Sequence, residues 1–234
     1  MEHFKEVDKE EQKKPDYKPV EKSFYFNHVW MGVTVCVTLL TAFILENPIQ
    51  RDIILLESAI STISTTIYYF LTKTARENEI SGKEIDWKRI TLLRYNGWVL
   101  STPIMLIAFL LFLSSTTKIK MTIPLVISIV ILDWLMLLFG YLGEIGSIDR
   151  LTALIGGFIP FFAIFGIIFN TFLMGIGPIM NYVVFGLFVL FWGLYGLGYM
   201  LDLEPRNYLM NILDLSSKSG IGILFACYFL FFPK

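Results

Sequence analysis

Cysteine is nearly absent from the 234-residue chain: Cys36 and Cys227 are the only two. Both fall in apolar stretches. That excludes a disulfide framework or a cysteine-built metal site and reads as two small buried hydrophobes. Charge is scarce as well. Asp, Glu, Lys and Arg make up 17% of the residues, against about 25% in ordinary soluble domains. The charge that exists gathers at the amino terminus and in short connectors, and the formal net charge is -1. No basic surface for nucleic acid follows from that. Residues 1–22 hold six lysines and seven acids and no apolar h-region, so they are not a secretory signal. Their composition predicts a polar, disordered tail over 1–23. No internal repeat of the transporter kind is visible. Nothing marks a soluble catalytic or output domain, and no enzyme is expected.

What the chain has is long apolar runs, with 55% hydrophobic and 16% aromatic residues. Seven segments come near the ~20 residues that cross a bilayer as a helix. They fall at 24–45, 53–75, 90–114, 121–143, 151–173, 178–201 and 207–232. The expected fold is therefore an all-α membrane protein, a seven-transmembrane-helix bundle over 24–232. Short connectors force antiparallel neighbours and a single domain. The longest, Thr72–Arg89, is rich in charge. The lipid bilayer is the first partner, and a multi-pass place in the plasma membrane is expected. One side of the bundle collects thirteen Lys and Arg and the other four, which by the positive-inside rule puts the amino terminus in the cytoplasm.

Five ionisable residues fall inside the apolar segments: Glu57, Arg94, Asp133, Asp214 and Lys218. A charge at mid-membrane costs at least ~2.5 kcal/mol and marks function by default. Asp133 reads as internally paired, and Glu57 equally as paired or functional. Lys218 is different. It sits near the middle of the last helix, where its side chain cannot easily reach the headgroups. Asp214 lies four residues before it, on the same face. A buried lysine gives up its proton readily, which suits a Schiff base with an aldehyde. Once protonated, that nitrogen needs an anion, and Asp214 is placed to be one, with Arg94 as a compensating cation. An aldehyde chromophore also needs an apolar slot. Trp192, Tyr195 and Tyr199 share a helix face, and Trp98, Met136 and Gly140 lie on the third and fourth segments.

These residues resemble the microbial rhodopsins. Arg94-Tyr95-Asn96-Gly97-Trp98-Val99-Leu100-Ser101-Thr102-Pro103 is similar to the family's R-Y-x-x-W-x-x-x-T-P signature. Asp214 to Lys218 resembles its D-x-x-x-K attachment motif. Trp192 and Tyr195 give W-x-x-Y, and Asp133 and Met136 give D-x-x-M. The four motifs stand in the right order, and the resemblance covers all seven helices, 24–232. The resemblance implies all-trans retinal bound covalently at Lys218, with Asp214 as counterion. It implies a pocket of Trp98, Thr102, Met136, Gly140, Trp192, Tyr195 and Tyr199, and a counterion network of Arg94, Tyr68, Gly97 and Ser101. It also implies a homo-oligomer, and an amino terminus outside the cell, against the charge count. We expect the outside placement. Heliorhodopsins are inverted, but their third-helix motif differs from the one here.

Departures from the family pattern bear on function. Where proton pumps keep an acidic acceptor, a threonine and often an acidic donor, this chain has Gly97, Ser101 and Ala108. Proton pumping needs acceptor and donor, so it is not expected. The family's sixth-helix proline is replaced by Gly196. Three readings follow. In a light-gated channel, Glu57 and the hydroxyls of the second helix line a path for small ions. The second-helix glutamate and the N-I-L-D run look like rhodopsins of giant viruses and related protists, some of which are channels. In an inward anion pump, chloride near Ser101 and Thr102 replaces the lost carboxylate, and Arg206 at the mouth of the last helix attracts anions. In a photosensor, a partner receives the signal. The channel reading ranks first.

Overall fold

The computed structural model describes residues 18–175 and 177–232. The expected tail over 1–17 and Lys234 lie outside the described residues. Seven helical spans follow one another: α1 (Lys18–Ile44), α2 (Pro48–Ile80), α3 (Trp87–Thr117), α4 (Ile123–Glu144), α5 (Arg150–Phe172), α6 (Ile179–Gly198), and a seventh built from α7 (Leu203–Asp214), a π-helical segment (Leu215–Gly220) and α8 (Ile221–Phe231). All seven are long and apolar enough to cross a membrane. Even the shortest, 20 residues in α6, spans ~30 Å at the helical rise. Consecutive helices pack against each other, as short connectors require.

Local chemistry sets the ends. Asn47 Oδ1 accepts from the backbone N–H groups of Ile49 and Gln50, with Pro48 opening α2. Asp86 and Asp149 cap α3 and α5 in the same way through Arg89 and Thr152. Such caps satisfy donors that a helix leaves unpaired. Lys118 stops α3 in the left-handed region, at φ 61°.

Three expectations need correction. Helix α1 starts at Lys18, so residues 18–23 of the expected tail are helical. Val20 and Phe24 are buried there against Tyr68, Leu71, Ala75, Ile85 and Ile90, and that packing extends the helix past its polar composition. Second, the charged stretch Thr72–Arg89 is mostly helix: α2 runs to Ile80 and α3 begins at Trp87. Third, Cys36 and Cys227 are exposed on the outside of the bundle. Apolar sequence does not separate a residue facing protein from one facing lipid, because lipid tails satisfy both.

Helix alternation puts the start of α1 and the connectors 81–86, 145–149 and 199–202 at one end, called here the amino-terminal end. Toward the opposite end the core is dense with rings. Phe109 stacks on Phe188 at 4.5 Å, and Phe112 packs on Phe225 at 4.8 Å. Buried Ala108 belongs to this stretch of α3.

Candidate functional site

Asp214 ends α7 and is 1% exposed. Five donors converge on it. Lys218 Nζ and Tyr195 Oη, each at 2.7 Å, and Trp98 Nε1 at 3.0 Å reach Oδ1. Tyr68 Oη at 2.7 Å and Arg94 Nη1 at 3.1 Å reach Oδ2. A carboxylate offers about four lone-pair sites, so this one is saturated. Lys218 lies inside the π-helical segment, which the periodicity of the sequence did not reveal. Such segments are rare and recur at functional sites. The terminal amine of Lys218 marks where the nitrogen of a covalent linkage would sit.

That amine borders an apolar cavity enclosing roughly 790 Å³ of empty space, its open side included. Ligand pockets are mostly apolar, with a few placed polar groups. Trp98, Thr102, Met136, Gly140, Trp192, Tyr195 and Tyr199, all singled out from sequence, line it. Tyr95, Met105, Phe158, Phe161, Gly157 and Ser217 complete much of the wall and were missed. Lys218 at one wall and apolar groups on the others fit an apolar aldehyde such as retinal.

The departures from the family pattern have local structural counterparts. A methyl group built on Gly97 would lie 2.9 Å from Ile67 Cγ1, so the space of a lost carboxylate is taken by Ile67. One built on Gly196 would lie 2.6 Å from Phe158 Cζ. The glycine therefore admits the Phe158 ring to the cavity wall. Ser101 is buried, and its Oγ has no hydrogen-bond partner among the described residues.

The remaining candidates separate. Asp133 Oδ2 accepts from Thr102 Oγ1 at 2.7 Å, so Asp133 is paired with a hydroxyl rather than a charge. The Thr102 hydroxyl has its one proton directed at Asp133 or at the Trp98 carbonyl. Glu57 is 1% exposed, and its Oε1 has no partner among the described residues. The pairing reading fails for it. Arg206 is not an open anion trap at a mouth. It is 2% exposed and bonded at 2.5 Å to Glu144 Oε1, a neutralising acid on α4 that sequence reasoning overlooked. Also missed was a carboxamide group around Arg94. Arg94 Nη2 donates to Asn211 Oδ1 at 2.8 Å and Asn207 Oδ1 at 3.1 Å. The spacing of Asn207, Asn211 and Asp214, four then three, places them on one face of α7 and could have disclosed it.

Residues 21–230 match the model of the bacteriorhodopsin-like protein family. The chain belongs to that family, the microbial rhodopsins. No curated protein sequence matches it. Among solved structures it is similar to viral rhodopsin OLPVRII, at 29% identity and TM-score 0.82, covering 92% of this chain and 100% of that one. A blue light-absorbing proteorhodopsin from Med12 shares 20% identity and TM-score 0.69, over 90% and 95% of the two chains. The proton-pumping rhodopsin AR2 from the marine alga Acetabularia acetabulum shares 17% and TM-score 0.75, over 94% and 98%. The last two likenesses concern the fold. The microbial rhodopsin is thus an integral, multi-pass membrane protein of a family that binds retinal through a lysine.

Proposed function

We propose that this microbial rhodopsin carries all-trans retinal on Lys218, with Asp214 as counterion, and acts as a light-gated ion channel of the plasma membrane, assembled as a homo-oligomer. Retinal, when bound, supplies the absorption of light and a light-driven change of shape. Trp98, Thr102, Met136, Gly140, Trp192, Tyr195 and Tyr199 form its enclosure. Asp214 holds the positive charge on the Lys218 nitrogen, while Arg94, Tyr68, Trp98 and Tyr195 hold Asp214.

The observation that carries the channel reading is a polar stripe on α2. Glu57, Ser61, Ser64 and Tyr68 are all buried, at spacings of four, three and four, on one helix face. At one end of the stripe Tyr68 reaches Asp214. At the other, Glu57 faces α8, where a methyl group on Gly222 would lie 3.5 Å from Glu57 Oε2. Gly222 is one turn past Lys218, so the stripe passes the Lys218 level and runs toward the end opposite the amino terminus. Glu57 Oε1 and Ser61 Oγ lack partners among the described residues. Buried polar groups of that kind call for water. Elsewhere in this half phenyl rings of α3 pack against those of α6 and α8. A hydrated file along α2 is the route the bundle offers to small ions, with Glu57 favouring cations.

A second reading, inward anion pumping, draws on the unpartnered Ser101 Oγ and on charge. Arg94 and Lys218 bring two positive charges against one from Asp214, and the deficit would be met by a chloride. Arg206 does not contribute, since Glu144 neutralises it. The test is the light-evoked current across a voltage ramp in retinal-supplied cells with asymmetric chloride. A current reversing at a potential set by the ion gradients supports the channel. One that keeps its direction at every voltage overturns it, and chloride dependence would then select the pump.

A further inference from the structure

Asn211 lies three residues before Asp214, outside the cavity wall, and is 2% exposed. Both of its side-chain polar atoms have partners. Oδ1 accepts from Arg94 Nη2 at 2.8 Å and stands 3.1 Å from Tyr68 Oη. Nδ2 donates to Ser23 Oγ at 2.7 Å. The backbone carbonyl accepts from Asn27 Nδ2, again at 2.7 Å. One carboxamide thus ties α7 to α1, α2 and α3. The two side chains that meet Asp214 Oδ2, Arg94 and Tyr68, are the same two that meet Asn211 Oδ1. Asn207 gives Arg94 Nη2 its second acceptor. Phe24 and Tyr68 lie against the guanidinium, each ring centroid 5.8 Å from Cζ.

A neutral acceptor matters at this place. Arg94 is 3% exposed, and its one carboxylate partner among the described residues is Asp214. A second carboxylate at 211 would also bind the guanidinium, but it would add a negative charge one turn from Asp214 and about two turns from Lys218, and compete with Asp214 for the cation. It would also lose the donor that Ser23 accepts from. The carboxamide fixes the guanidinium by hydrogen bonding alone and leaves its charge directed at Asp214. Supporting residues of this type set how sharply a site is held.

We infer that Asn211 is a positioning residue of the photoactive centre. It sets the place and charge balance of Arg94, and through it the field at the Lys218 nitrogen, without touching that nitrogen. This rests on the reading of Lys218 as the retinal attachment. On excitation, positive charge in a linked polyene moves away from the nitrogen. A new negative charge near that end stabilises the ground state more than the excited state, which shortens the absorbed wavelength.

The experiment compares the visible spectrum, the extent of retinal binding and the thermal midpoint of the full chain with those of N211D and S23A. The expected result is a shift to shorter wavelength in N211D, with binding retained, and an unshifted maximum in S23A, which removes only the tie to α1. N207D, adding the charge on the other acceptor of Arg94 Nη2, should shift the maximum the same way by less. An N211D maximum equal to wild type overturns the inference. So does loss of retinal binding in both aspartate variants while S23A binds normally, because the carboxamides would then serve folding rather than the field. A wild-type protein with no Lys218-dependent band would instead sink the attachment reading and is told apart by the K218A control.

Discussion

Lys218 Nζ donates to Asp214 Oδ1 at 2.7 Å across one turn, and both residues are almost wholly buried. Arg94 holds the other oxygen of the same carboxylate. Removing Lys218 therefore leaves a neutral Arg94–Asp214 pair, not an orphaned charge. Lys218→Ala should fold and reach the membrane, yet show no visible band after incubation with retinal. Absorption spectra of the purified apoprotein before and after adding retinal check this. A band of wild-type intensity would remove Lys218 from its role.

Glu57→Gln keeps the shape of the side chain and removes its ionisable carboxyl group. In a cation path, the light-evoked current of this variant should fall or change its reversal potential in mixed-ion solutions. Whole-cell recording with the same gradients as wild type gives the comparison. Currents that match in size and reversal would return Glu57 to a packing role.

Much of this architecture was legible because a membrane imposes simple demands. Apolar runs of spanning length gave the seven helices, and intramembrane charge drew attention to Lys218, Asp214, Arg94 and Glu57. The aromatic stripe Trp192, Tyr195, Tyr199 was correctly read as one face. What sequence could not give were relations across helices. Glu144 ends α4 and looks like an interfacial acid, and only the bundle brings it to Arg206. Cys36 and Cys227 read as buried because hydrophobicity carries no information on which neighbour, lipid or protein, covers a side chain. The π-helical segment at Lys218 leaves no periodic mark over six residues. The Asn211 network was in view as part of the N-I-L-D run, but its partners Ser23 and Asn27 are nearly two hundred positions away in the chain.

The Glu144–Arg206 pair links α4 to α7 at the amino-terminal end, with both side chains at most 7% exposed. Breaking a buried pair by removing one partner strands the other, at about 3–5 kcal/mol. Glu144→Gln should lower the thermal midpoint markedly in detergent. The double variant Glu144→Leu/Arg206→Met, with no charge left to strand, should recover much of the loss. Thermal unfolding of the three proteins decides it. Equal midpoints for wild type and Glu144→Gln would mean the pair contributes nothing measurable.

Gly196 admits the Phe158 ring to the cavity wall. Gly196→Ala must push that ring aside, and overpacking of this sort costs about 1–3 kcal/mol. The expected outcome is a displaced absorption maximum and slower, less complete uptake of retinal. Phe158→Leu in the same chain should restore uptake, since it removes the colliding ring atoms. Regeneration kinetics after adding retinal measure both. Uptake by Gly196→Ala at the wild-type rate would show that the ring yields freely.

Chloride separates the two transport readings at the level of binding. Raising pH removes the proton from the retinal-linked Lys218 nitrogen, so the visible band should give way to near-ultraviolet absorption. A halide beside Ser101 would bind the positively charged form more tightly than the neutral one. By linkage it then favours retention of the proton. Titrations in chloride should keep the visible band to more alkaline pH than titrations in sulfate of equal ionic strength, and Ser101→Ala should shrink the difference. Asp214 already receives five donors and needs no halide for its own hydrogen bonding, so any chloride effect must arise from the excess positive charge of Arg94 and Lys218. Coincident curves in the two salts would remove the anion site and with it the chief support for pumping.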